Sequence, residues 1–251
     1  MRFDVITLFP ELFGPFLSHG ITRRAFETRQ VDVRLWQLRD FADGNYRRVD
    51  DRPFGGGPGM VMMADPLYRC WQTIRADRNE AQPAPTVLFS PIGQRLSHPV
   101  VAGLSGGPGA VLLCGRYEGM DQRFVDACVD VQLSLGDFVL SGGEIPAMAL
   151  LDAVARLQPG VLNDAGSHQQ DSFNPALDGL LDCPHYTRPE VWTGPAGEVP
   201  VPEVLLSGHH GRIEAYRRAQ RLATTARWRP DVLAAVRAAG GLSADDEKAL
   251  R

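Results

Sequence analysis

Apolar and polar positions change their period several times over the first 160 residues, and each change marks an element. VDVRLW (31–36) and VDVQLSL (129–135) alternate apolar and polar residues, as strands with one buried face do. TVLFS (86–90) and AVLLC (110–114) are apolar throughout, the pattern of strands covered on both faces of a parallel sheet. FDVITLF (3–9) reads as a further strand. Between them Pro66–Ala76, Pro99–Leu104 and Met120–Cys128 suit helices, and IPAMALLDAVARL (145–157) repeats apolar residues at helical spacing before Pro159 and Gly160. The alternation predicts an α/β domain with a mainly parallel sheet over residues 1–160.

The pattern then breaks. Residues 161–182 are rich in Asn, Asp, Ser, Gly and Gln without sustained periodicity, and read as a flexible interdomain linker. Helical spacing returns over His209–Ala226, Pro230–Ala239 and Ser243–Arg251, so residues 183–251 are expected to form a small, mostly helical second domain. Asp4 and Glu11 interrupt the N-terminal apolar stretch where a signal peptide would be unbroken, and no apolar run approaches the ~20 residues that span a bilayer. A soluble cytoplasmic protein with no membrane partner is the expectation.

Composition changes this picture at three points. The four cysteines show no Cys-x-x-Cys spacing, which leaves a zinc knuckle or a disulfide framework without support. The net charge of -4 argues against overall positive potential, yet Arg212, Arg217, Arg218, Arg221, Arg227 and Arg229 share the stretch 207–229 with one acid, Glu214. That cluster suits either a solvated helix face or a phosphate-binding surface. The only lysine is Lys248, and neither Gly-x-Gly-x-x-Gly nor a phosphate-binding Gly-Lys-Ser/Thr loop occurs. Glycine turns nevertheless follow three strands, in SPIGQ (90–94), CGRYEG (114–119) and LGDFVLSGGEIP (135–146). They are either ordinary structural turns or three walls of one pocket at the carboxyl ends of the strands.

Five long motifs in one order carry a resemblance: LFPELF (8–13), VDDRPFGGGPGMVM (49–62), LCGRYEGMDQR (113–123), GDFVLSGGEIPAM (136–148) and LLDCPHYTRPEVW (180–192). With these the chain closely resembles the bacterial tRNA (guanine-N1)-methyltransferases of the SPOUT superfamily. The resemblance implies a homodimer with active sites at the subunit interface and a deep trefoil knot in the N-terminal domain. It implies S-adenosylmethionine as methyl donor, and N1 of the tRNA guanosine immediately 3′ of the anticodon (position 37) as acceptor.

By the same resemblance the donor site includes Phe89, Ser90, Pro91, Gly115, Leu135, Gly136, Asp137, Phe138, Val139, Leu140, Gly142, Gly143 and Pro146. Glu118 joins it, either supporting the loop or making an indirect contact to Mg2+. Asp171 matches the family's general base, which removes the N1 proton, and Arg156 matches the arginine that offsets charge developing on the guanine. Without the family match, Asp171 reads as a polar linker residue and Arg156 as a cation at a helix C-terminus. Asp50, His185, Arg188, Arg217 and Arg218 are candidates for tRNA contact, with loop structure or domain packing as the alternative; no resident metal ligand is assigned. Between Asp171 and Leu180 the chain reads as somewhat longer than the linker that the resemblance implies. Two other functions remain open at this stage: a knotted-fold RNA methyltransferase with another target, and a non-catalytic RNA-binding module.

Overall fold

The computed structural model describes residues 1–80, 83–162 and 168–250. The chain divides into two compact units, Met1–Asn163 and Asp164–Arg251. In chain order the strands of the first unit are β1 (Arg2–Thr7), β2 (Asp32–Gln37), β3 (Asp50–Asp51), β4 (Val61–Met62), β5 (Thr86–Arg95), β6 (Gly109–Leu113) and β7 (Val131–Ser134). Its helices are α1 (Gly14–Ser18), α2 (Arg23–Glu27), α3 (Ala64–Arg78), α4 (His98–Ser105), α5 (Gln122–Cys128) and α6 (Glu144–Arg156).

Five strands form one parallel sheet in the order β2-β1-β6-β5-β7. The two wholly apolar runs occupy β5 and β6, inside the sheet, and every residue of β6 is buried. One face carries Phe3, Val5, Val87, Ala110, Leu112 and Leu133 against Ala147, Leu150, Leu151 and Val154 of α6. The other carries Ile6, Leu88, Val111 and Leu113 against Leu67, Cys70 and Ile74 of α3 and Phe124 of α5. Helices therefore cover both faces, the arrangement that apolar parallel strands require. All four cysteines are buried and free.

Three features depart from the sequence expectation. SPIGQ is not a turn after a strand: β5 runs on to Arg95, and both Phe89 and Gln94 pair with Leu133, so Ser90–Gly93 bulges out of the sheet between them. Gly93 permits this, because a Cβ there would stand 2.5 Å from the Gln132 backbone. The antiparallel hairpin β3–β4 and the five-residue helices α1 and α2 are too short to impose a period. Within the expected linker, residues 163–167 lie outside the described residues, but His168–Gln170 and Pro175–Leu177 form 3-10 turns. Leu180 is fully buried with Leu222, Leu233 and Val236 in the core of the second unit.

That unit contains the hairpin β8 (Val191–Gly194) and β9 (Gly197–Pro200), then α7 (Glu203–Leu206), α8 (His210–Trp228), α9 (Pro230–Ala238) and α10 (Ala244–Ala249). The last expected helical residue, 251, lies outside the described residues. Arg218 of α8 ties the unit together, with Nη2 2.9 Å from Asp246 Oδ2 and Nη1 2.7 Å from Asp178 Oδ2. Asp246 also closes a capping box with Ser243. Among the described residues no helix is long and apolar enough to cross a membrane.

Two buried ion pairs generate predictions. Asp4 and Arg78 have side chains 0% and 1% exposed and meet at 2.6 Å. Asp4 also accepts from Arg2 and Trp36, and Arg78 reaches Glu80 and the carbonyls of Arg2 and Pro108. Arg78→Met strands the carboxylate and should lower stability to urea by about 3–5 kcal/mol, toward the lower figure because Arg2 also pairs with Asp4. In the second unit, hydrogen bonds from Arg218 hold the Asp246 carboxyl far below the ordinary carboxylate range. A depressed folded value stabilises fully above the unfolded value near ~4 and is lost as pH falls through the folded one. Asp246→Asn should therefore cost about 1–3 kcal/mol at pH 7, with the gap to the parent narrowing in urea titrations carried below pH ~4.

Candidate functional site: a cavity at the carboxyl ends of β5, β6 and β7

Parallel strands leave their carboxyl ends on one edge of the sheet, and three loops meet there: the β5 bulge, the segment after β6 and the segment after β7. The loops after β6 and β7 lie backbone against backbone. Gly143 donates its amide to Gly115 O at 3.0 Å, and a Cβ on Gly143 would stand 2.6 Å from Cys114 Cα. Only glycine accommodates that approach, which also sets where α6 begins. A cavity of about 290 Å³ opens between the loops.

Every residue expected in the donor site lines this cavity except Asp137. Phe89, Ser90 and Pro91 come from the bulge, Gly115 and Glu118 from the second loop, and Leu135, Gly136, Phe138, Val139, Leu140, Gly142, Gly143 and Pro146 from the third. The Asp137 carboxylate points outward, 95% exposed and 3.4 Å from Arg95. Backbone groups and apolar side chains dominate the walls, and the volume lies near the lower end of the ~300–1,000 Å³ typical of small-molecule sites. No nest of amides of the kind that cradles phosphate was legible in the sequence, and the walls suit a compact ligand with an apolar and a polar end.

Sequence reasoning passed over Arg116, which also lines the cavity. Its guanidinium stacks 4.5 Å over the Phe9 ring, donates to Ser141 O at 3.2 Å and lies 2.9 Å from Glu144 Oε2. Glu144, the first residue of α6, is buried and accepts from Thr7 Oγ1 at 2.8 Å. The available signal was an acid placed between two glycines and a mostly apolar helix.

The second loop is also stitched to the glycine-rich motif that follows β3. Glu118 N–H donates to Met60 O at 3.0 Å and Met62 N–H to Gly119 O at 2.9 Å. The exposed Glu118 side chain rests against Gly59. Asp50 is half-buried in β3 and pairs with Met62 of β4.

Arg156 is the last residue of α6, in the first unit, where a cation favours the helix dipole. Asp171 belongs to the second unit. Its amide donates to His168 O and its carbonyl accepts from Asn174 N, and Asn174 in turn binds His168 O through its side chain. Asp171 thus sits in a hydrogen-bonded turn rather than in an unstructured stretch.

The second unit contains its own cleft of about 900 Å³, lined by His185, Tyr186, Arg188, Leu205, Ile213, Tyr216 and Arg217 among others. His185 Nε2 lies 2.8 Å from Asp182 Oδ2. Burial pushes the Asp182 carboxyl up, but hydrogen bonds from His185 and the Cys183 amide outweigh it and hold the group below its ordinary value. Asp182, Cys183 and His185 bring one potential ligand atom each within 4.8 Å of one another. Arg221, 3.7 Å from Asp182, already offsets that carboxylate, so the trio is better described as a polar staple.

The arginine cluster proves divided. Arg218, Arg221 and Arg229 are paired with Asp246, Glu214 and Asp231. Arg218, its side chain 26% exposed, bridges Asp246 and Asp178. Arg212 and Arg217, like Arg188 before them, have no carboxylate partner among the described residues.

Comparison with known proteins agrees with the geometry. A family model described as tRNA (guanine-1)-methyltransferase TrmD matches residues 1–235. A tRNA (guanine-N(1)-)-methyltransferase of Paracidovorax citrulli is 75% identical over 252 residues, spanning 100% of this chain and 97% of the relative. Relatives of the same name from Polaromonas sp. and Janthinobacterium sp. are 69% and 56% identical, spanning 98% and 100% of this chain and 95% and 98% of their own lengths. With a family model over nearly its whole length and relatives this similar end to end, the chain belongs to the tRNA (guanine-1)-methyltransferase family.

Proposed function

We propose that this chain transfers the methyl group of S-adenosylmethionine to N1 of the guanosine at position 37 of tRNA, immediately 3′ of the anticodon. The observation that carries the proposal is the convergence of the expected donor-site residues, Asp137 apart, on one cavity at the sheet edge. Its backbone-rich, mostly apolar walls fit an adenosine bearing a short amino-acid chain. When bound, the donor supplies an electrophilic methyl group and departs as a neutral thioether.

The remaining chemistry belongs to the protein. Guanine N1 carries a proton that must leave before its lone pair can accept a methyl group, and Asp171 takes that proton. The negative charge then spread over the ring and O6 is offset by the Arg156 guanidinium. Arg188, Arg212 and Arg217 meet backbone phosphate, and His185 and Asp50 also contact tRNA. Arg218 joins this tRNA-contacting set while also holding Asp246 and Asp178. Glu118 is the candidate for an indirect contact to Mg2+.

The proposal includes the SPOUT trefoil knot and a homodimer with active sites at the subunit interface. Backbone-to-backbone packing of Gly143 on Cys114 supports the tight threading a knot needs. Ile92 and Val139, 84% and 83% exposed on or beside the cavity loops, support a covering subunit. A tRNA substrate is met in the cytoplasm.

Single-turnover methylation of tRNA transcripts that differ only at position 37, with mass spectrometry of the product, tests the function. Product is expected only with guanosine there. Methylation elsewhere would support another RNA target, and tRNA binding without turnover a non-catalytic module. Asp171→Asn should slow the single-turnover rate by about 10²–10⁴ with donor affinity nearly unchanged; a variant that keeps most of its rate removes Asp171 from the base role. Arg156→Ala should slow turnover about 10²-fold and weaken tRNA binding far less, whereas equal losses would make it a binding residue.

A further inference from the structure

The Glu144 carboxylate is 1% exposed, and Thr7 beside it is fully buried. Nothing in the methyl-transfer chemistry uses either. A carboxylate in such a place is costly unless charge and hydrogen bonds meet it. Here Thr7 Oγ1 donates to Oε1 at 2.8 Å and itself accepts from Phe9 N at 2.9 Å. The first turn of α6 adds its positive dipole end, and Arg116 Nη2 stands 2.9 Å from Oε2.

Glu144 Oε2 and Arg116 Nε complete no well-aligned hydrogen bond. The attraction between these two groups is therefore chiefly Coulombic, and at low local dielectric it is strong without demanding one register. Three segments far apart in sequence meet at this point: the end of β1 through Thr7 and Phe9, the loop after β6 through Arg116, and the loop after β7 through Ser141 and Glu144. Gly142 lies so close to Arg116 Nε that a Cβ there would displace the guanidinium.

We propose that Glu144 is a positioning residue for the donor cavity: with Arg116 and Thr7 it clamps the loops after β6 and β7 at the spacing that admits the methyl donor. The proposal rests on reading that cavity as the S-adenosylmethionine site. Glu144 touches neither donor nor guanine; it acts through Arg116.

Isothermal titration of the full chain with S-adenosylmethionine, beside steady-state kinetics and thermal melts, tests the clamp. Glu144→Gln keeps the shape and the Thr7 contact but removes the charge facing Arg116. It should raise the donor Kd and KM at least tenfold while lowering the rate at saturating donor less than threefold. Arg116→Met should do the same, and the double variant should be little worse than either single one, because the two groups act as a unit. Thr7→Val should raise Kd two- to fivefold; it and Arg116→Met decide the matter if Glu144→Gln does not fold. A donor Kd within twofold of the parent in the folded variants, with only the melting temperature lowered, overturns the clamp and leaves Glu144 a purely structural acid. A parent chain with no affinity for S-adenosylmethionine overturns the donor-site reading itself.

Discussion

The distance between two stretches of backbone governs the working edge of this protein. Gly143 sits against Cys114 and Gly115 closely enough to exclude any side chain, and that contact fixes the entry of the chain into α6. From it follow the wall that Leu135–Leu140 presents to the cavity, the placing of Glu144 at the base of the helix and the reach of Arg116 across to Ser141. A second close approach, Gly93 on Gln132, lets the β5 bulge supply the opposite wall. Glycine serves here through the space it does not fill, which lets main chain approach main chain at the cavity.

Charge is handled in a matching way. Each of the principal buried acids, Asp4, Glu144 and Asp246, is met by an arginine that also reaches other acceptors. Arg78 binds two carboxylates and two backbone carbonyls, and Arg218 spans two acids from different segments. A planar, five-donor fork suits this bridging and a lysine does not, which gives physical sense to a chain with a single lysine. It also explains why counting arginines over 207–229 overstates the positive surface, since Arg218, Arg221 and Arg229 spend their charge inside the protein or on a neighbouring acid.

The large elements were legible because each has a period or an unbroken apolar run. Five strand-like runs became the five strands of the main sheet, and the apolar stretch 145–157 became α6. The hairpin β3–β4, the hairpin β8–β9 and the helices α1 and α2 were not legible, because two to five residues cannot express a period and their register comes from tertiary contact. The cavity loops carry recognisable motifs, but the reason they hold together was not legible. Thr7 and Glu144 are 137 residues apart, and no local pattern couples them. Their only trace was a polar residue in each of two mostly apolar stretches, a common occurrence that acquires meaning once a partner is seen.

The turns within residues 168–182 bear on the proposed catalysis. Asn, Asp, Ser and Gly suit a flexible connection, but the same residue types make turns by bonding their own backbone. Asn174 caps one such turn and binds His168 O, Ser172 Oγ accepts from Asp182 N, and Phe173 N–H donates to the carbonyl of the buried Leu180. On the proposed mechanism the base, Asp171, is therefore carried on a turn anchored to the core of its own unit. A proton acceptor gains from being held this way, because little of its conformational freedom remains to be lost when guanine arrives.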